Sequence, residues 1–266
     1  MITLYIIFSS LIQSITEFIP VSSSGHLVIW HHFISSPLNE IQYDIILHAG
    51  SLLALLFYFR KDLVKLIKGW LLSFQGQHNE DSRLAWLLII STIPAAVIGF
   101  FLEDIIVNIF RATYWVVGML VVVGFLMILV EKYAEQKKTV KELTIKQAIY
   151  LGLWQCLAFI PGTSRSGITI ITGMFLKLKR AEAARYSFLL AIPTLLGASL
   201  RGLSMLISEG MMMNTIIIQL VALVITFVFS IFVIKFFLNY LQQHSLYPFA
   251  WYRIVLALIL VLVLNV

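Results

Sequence analysis

Ser23 and His26 stand three residues apart in QSITEFIPVSSSGH (13–26), and Glu17 lies six residues before the serine. A hydroxyl, an imidazole and a carboxylate are the parts from which a nucleophile and its proton-transfer partners are made. Ser22 and Ser24 flank the candidate nucleophile. Gln13 and Glu17 are four apart, so a helix places them on one face. From there Glu17 can orient the histidine, act as a base, or ligate a divalent cation together with Gln13. A second stretch, QCLAFIPGTSRSGIT (155–169), is of a different kind. The fork of donors on Arg165 suits a pair of phosphate oxygens. Gly162 and its flanking glycine let backbone N–H groups come close to an anion, with hydroxyls from Thr163, Ser164, Ser166 and Thr169 around it. A helix restarting after GTSRSG points its positive end at the same place. The first stretch supplies reactive groups and the second a phosphate cradle. Phosphoryl transfer needs little beyond positioning, charge neutralisation and an attacking oxygen.

Composition decides what kind of scaffold positions these groups. Of the 266 residues 60% are hydrophobic and only 12% are charged, about half the ~25% usual in soluble domains. A soluble fold of this length cannot hide so much apolar surface, which makes the chain an integral membrane protein. The net charge of +6 is spread over short loops without an aromatic-interleaved basic patch, so no nucleic-acid partner is expected. The lone cysteine, Cys156, reads as a small buried hydrophobe. The N-terminal stretch lacks a basic start and a cleavage site and reads as mature protein.

Six stretches are long and apolar enough to cross a bilayer: 43–60, 84–102, 114–131, 183–206, 214–238 and 249–266. Two more, 3–33 and 147–176, are interrupted by Pro, Gly and hydroxyl residues. Such breaks are tolerated at membrane depth only where the backbone is buried in protein or lines a wet cavity. They are expected to be re-entrant helix–loop–helix hairpins. The two hairpins resemble each other, each with Gln, then Phe-Ile-Pro, then a small polar run. One hairpin plus three spans gives an odd number of crossings. The expected fold is therefore an all-α polytopic membrane protein in one domain over 1–266, with a first repeat over 1–132 and an inverted second over 146–266.

Basic residues gather in three segments. Arg60, Lys61, Lys65, Lys68 and Arg83 follow the first span; Lys132, Lys137, Lys138, Lys141 and Lys146 follow the third; Lys177, Lys179, Arg180 and Arg185 follow the second hairpin. The positive-inside rule puts all three in the cytoplasm, with both termini outside and the hairpin tips meeting. Blander readings exist for each residue alone. Serine and glycine runs serve close helix packing, and Glu17 can pair with Arg165 structurally. His48, with Asp44 on one helical face, is ambiguous. Two matched broken hairpins with complementary polar groups are harder to explain by packing.

Both motifs, together with ARYSFLLAIP (184–193) and PFAWYR (248–253), resemble the bacterial undecaprenyl-diphosphatase, or bacitracin-resistance, family over essentially the whole chain. The resemblance implies hydrolysis of undecaprenyl diphosphate to the monophosphate and inorganic phosphate, which recycles the lipid carrier of cell-wall synthesis. It implies essential roles for Glu17, His26 and Arg165, and Ser23 as the nucleophile unless a histidine takes that role. It implies Mg²⁺ or Ca²⁺ as activator and an active site open to the outer side of the inner membrane. Gln13 stands where many members have Glu, which weakens it as a metal ligand. A homodimer is left open. The type-2 phosphatidic-acid phosphatases share an SGH element, but no histidine follows Arg165 within the next dozen residues. A polyprenyl-phosphate transporter on the same inverted-repeat fold is the alternative. A pure carrier needs no nucleophile, which favours the enzyme.

Overall fold

A computed structural model of the chain describes residues 2–34, 40–110, 112–209 and 216–264. Among the described residues the regular structure is helical, with no strand beyond one isolated bridge between Lys138 and Leu178. The order is α1 (Ile2–Thr16), α2 (Ser23–Phe33), α3 (Glu40–Tyr58), α4 (Arg60–Ser73), α5 (Glu80–Ile109) and α6 (Thr113–Tyr133). There follow α7 (Ile145–Gln155), α8 (Arg165–Phe175), α9 (Arg180–Glu209), α10 (Ile216–Gln243) and α11 (Tyr247–Leu264).

Four of the expected spans are helices long and apolar enough to cross a membrane: Glu80–Leu102, Thr113–Tyr133, Arg180–Ser204 and Ile216–Gln243. The chain is thus an all-α polytopic membrane protein. The stretch at 43–60 falls on α3, and the last stretch on the shorter α11. The basic segment after α3, expected as a loop, is helical. α4 turns 75° from α3 across a single residue, Phe59. Its sequence explains the turn. Leu66, Gly69 and Ser73 are buried on one side, while Lys61, Lys65 and Lys68 are exposed on another. A helix with such a basic stripe does not continue into hydrocarbon.

Both broken segments are helix–turn–helix units, α1–α2 and α7–α8, interrupted where the prolines Pro20 and Pro161 cannot continue a helix. Their surroundings exchange. α1 packs on α10 and α7 on α5; α3 packs on α10 and α9 on α5; α6 pairs with α11. Close backbone approach fixes one of these crossings. A Cβ on Gly152 of α7 would collide with the Ser91 carbonyl oxygen of α5. Ser91 Oγ donates to the Ala148 carbonyl at 2.8 Å across the same crossing. The first tip is anchored in the main core through Phe18, fully buried and edge-on to Phe188 at 5.4 Å.

The three basic segments meet at one end. The Lys137 and Lys138 N–H groups donate to the Lys177 carbonyl, and the Lys179 N–H returns to Lys138, so the second hairpin begins and ends together. Arg83 reaches the Lys141 and Leu143 carbonyls, and Arg185 pairs with Asp62 at 2.7 Å. Here too the Thr139 N–H and hydroxyl, both donating to Glu142, hold that carboxyl below its ordinary pKa. Glu131, at the foot of α6, is the buried latch. Its carboxylate takes Arg180 through Nε and Nη2 and the Leu246 N–H at 2.7 Å, joining α6, α9 and the α10–α11 turn. Glu131→Ala is expected to cost about 3 kcal/mol, the low end for breaking a buried pair, because Arg180 keeps some solvent. Thermal unfolding in detergent checks this; Lys137→Ala, removing an exposed pair, is expected to change stability by less than about 0.5 kcal/mol.

Candidate active site

The two turns are built alike. Ser22 caps α2 and Ser164 caps α8, each with its hydroxyl accepting from the N–H of the glycine three residues on, Gly25 at 3.2 Å and Gly167 at 3.1 Å. Each cap also touches the hydroxyl two residues ahead: Ser22 with Ser24 at 3.3 Å, and Ser164 with Ser166 at 3.2 Å. Both caps have positive φ, 77° and 71°, where a residue with a Cβ is strained. In this shared frame Ser23 and Arg165 hold the same position, the first residue of the restarted helix.

Both point at Glu17. Its carboxylate is 6% exposed. Arg165 Nη2 donates to Oε1 at 2.7 Å, while Ser23 Oγ at 2.8 Å and Gln13 Nε2 at 3.2 Å donate to Oε2. His48 Nε2 stands 3.7 Å from the same oxygen. One carboxylate from the first hairpin thus holds both turns. A serine hydroxyl bonded to a carboxylate is a nucleophile with its base in place. The second terminal guanidinium nitrogen, Arg165 Nη1, is buried without a partner among the described residues, as is Thr163 Oγ1. These free donors beside a paired serine leave the site able to bond an added acceptor.

His26 sits to one side. Its Nδ1 lies 2.7 Å from the Ser22 carbonyl and its Nε2 2.7 Å from the Tyr252 hydroxyl. The carbonyl only accepts, so in the neutral ring Nδ1 carries the proton and Nε2 accepts from the tyrosine. The imidazole also stacks on the Tyr252 ring, at 5.7 Å between centroids. Ser23 therefore has Glu17, rather than His26, as its bonded partner here.

The remaining hydroxyls build the turns. Ser22, Ser164 and Ser166 are used in the caps, and Thr169 bonds the Arg165 carbonyl and, at 2.6 Å, Ser187. Gly162 has φ +90°, and a Cβ there would lie 2.5 Å from the Val116 carbonyl, so the second turn rests against the backbone of α6. For a divalent cation the donors are few. Among the described residues no three His, Cys, Asp or Glu side chains gather as a ligand set. Gln13 Oε1 is nonetheless buried without a partner beside Glu17. Gln13 turns its amide N–H toward Glu17, so the pair fits a cation only with that amide turned over to bring Oε1 to the carboxylate side, the other ligands coming from a phosphate substrate and water.

Helices broken at two matched turns, closing on a buried carboxylate–serine–arginine centre, define a polytopic membrane protein with a polar site between its two broken segments. The chain belongs to the bacitracin resistance protein BacA family, whose profile matches residues 6–259. Among its relatives, the undecaprenyl-diphosphatase of Alteromonas mediterranea is 39% identical over 96% of each chain. That of Mycolicibacterium smegmatis is 39% identical over 98% of this chain and 96% of its own. Undecaprenyl-diphosphatase 1 of Shouchella clausii is 38% identical over 94% and 92%.

The sequence motifs assign no role to Tyr252 or Arg253. The signal that singles out Arg165, an arginine within an apolar run, applies equally to Arg253. The strained cap gives a test. Ser164→Gly relieves the positive φ as it removes the cap, whereas Ser164→Ala keeps the strain and loses the cap bond. The alanine variant is expected to be the less stable of the two by about 1 kcal/mol, measured by thermal unfolding.

Proposed function

We propose that this protein hydrolyses undecaprenyl diphosphate to undecaprenyl phosphate and inorganic phosphate. The observation that carries the reading is Glu17 bridging Ser23 and Arg165, one from each broken helix. Ser23 Oγ attacks the terminal phosphorus while Glu17 takes its proton. The bond from that phosphorus to the bridging oxygen breaks, and undecaprenyl phosphate leaves with the electron pair. Arg165 turns its free Nη1 to the phosphoryl oxygens and neutralises their growing charge. Water then attacks the phosphoserine, the bond from phosphorus to Ser23 Oγ breaks, Oγ takes back the proton held by Glu17, and the water's protons leave on inorganic phosphate. His26, whose Nε2 accepts from the Tyr252 hydroxyl, is placed to take a proton at that nitrogen and then to give it up during these steps. A divalent cation, Mg²⁺ or Ca²⁺, held by Gln13 and Glu17, would add charge neutralisation at the diphosphate.

The same reading orients the protein in the bacterial plasma membrane as a multi-pass chain. The gathered basic segments are cytoplasmic, both termini face outward, and the site opens to the outer side. The exchanged helix pairings support two inverted halves, 1–132 and 146–266.

The test is phosphate release from undecaprenyl diphosphate by purified protein in detergent. Arg165→Ala is expected to lower kcat/KM at least about 1,000-fold, as loss of a charge-stabilising donor does. Ser23→Ala is expected to fall at least as far, and EDTA to reduce the wild-type rate. Activity retained by Ser23→Ala would move the attack to His26 or water. No release by folded wild type with Mg²⁺ or Ca²⁺ would overturn the hydrolase and bring lipid transport forward.

A further inference from the structure

Arg253 of α11 is fully buried. Among the described residues its partners are all backbone carbonyl oxygens. Nη2 donates to Gly162 at 2.8 Å, Thr163 at 3.1 Å and Met119 at 3.1 Å; Nη1 donates to Pro20 at 3.2 Å and Nε to Leu120 at 3.3 Å. Pro20 lies in the first turn, Gly162 and Thr163 in the second, and Met119 and Leu120 on α6. One cation therefore grips both turns of the site and the helix behind them.

We propose that Arg253 is a positioning residue: it sets the spacing and orientation of the two turns, and through them of Ser23, Glu17 and Arg165. Three observations support this over plain packing. A charge without a carboxylate partner is costly at membrane depth, and an apolar side chain would fill the same volume without that cost. Its donors go to three separate elements, which no apolar group could fasten together. A planar trans peptide also points its N–H opposite its carbonyl. Drawing the Thr163 carbonyl onto Arg253 therefore turns the Ser164 N–H away from the guanidinium, and so sets how the cradle presents its donors. Neighbouring Tyr252 meets His26, so α11 fastens the turns by one residue and touches the site by the next.

This inference rests on the hydrolase reading, so wild-type activity is established first; its absence would sink that reading and not this one. The full-length protein in detergent is then compared with Arg253→Lys and Arg253→Ala, measuring kcat, KM and thermal unfolding. Lysine keeps the charge but has three donors in place of the planar fork. Arg253→Lys is expected to fold and to lose about 100-fold in kcat, as misplacement by about an ångström does, with KM within about threefold. Arg253→Ala is expected to lose more and to recover at least about tenfold on adding guanidinium ion. A kcat within threefold of wild type in either folded variant would overturn the proposal. So would a loss that merely follows a fall in thermal stability and is not rescued by guanidinium, which assigns Arg253 to structure alone.

Discussion

Glu17 is a carboxylate closed off from solvent inside a bundle of apolar helices, and the surrounding structure answers its charge. An unpaired carboxylate there would be strongly unfavourable. Arg165, Ser23 and Gln13 each donate to it, and His48 stands close. Arg165 comes from the opposite hairpin, 148 residues away in sequence. Satisfying this one charge therefore forces the two halves of the chain to meet.

The meeting is possible only because two helices stop short. Each stop leaves backbone groups without partners, which hydrocarbon does not forgive. The same local device solves this twice: a serine cap at positive φ, a glycine three residues on, and a hydroxyl contact between them. Arg253 collects carbonyls from both turns, and α6 supports the second turn at Gly162. At the foot of α6, Glu131 and Arg180 tie that helix to α9. The scaffold is held at its base by one buried ion pair and at its centre by another.

Much of this was legible in the sequence. The breaks at Pro20 and Pro161, the likeness of the two turns and the meeting of their tips follow from hydropathy, proline chemistry and charge, whereas the Glu17–Arg165 pair is the contact the sequence offered as the structural alternative to a role for Glu17. The basic segments do gather at one end. The sequence misplaced α4, because its Lys-rich composition suggests a loop although its buried face has helical spacing. It could not say which partner Ser23 takes, since serine reaches a carboxylate or an imidazole equally well and only the turn's geometry decides. The hydroxyls of Ser22, Ser164 and Thr169 suggest ligand contact by type, yet they are used inside the turns. Tyr252 and Arg253 lie more than 80 residues beyond the second motif, and only folding brings them to it.

A substrate phosphate and Glu17 are both anions presented to the same guanidinium. Binding would place the phosphate on the free Nη1 of Arg165 while Glu17 keeps hold of Ser23, so that charge neutralisation and nucleophile activation belong to one centre. The most direct test is a double-mutant cycle on kcat/KM for undecaprenyl diphosphate, with Ser23→Ala, Arg165→Ala and the two combined. Groups acting as one unit are strongly non-additive. The combined variant is predicted to be little worse than the more damaged single variant. Losses that simply multiply would mean that the two hairpins act independently, and would contradict a site organised around Glu17.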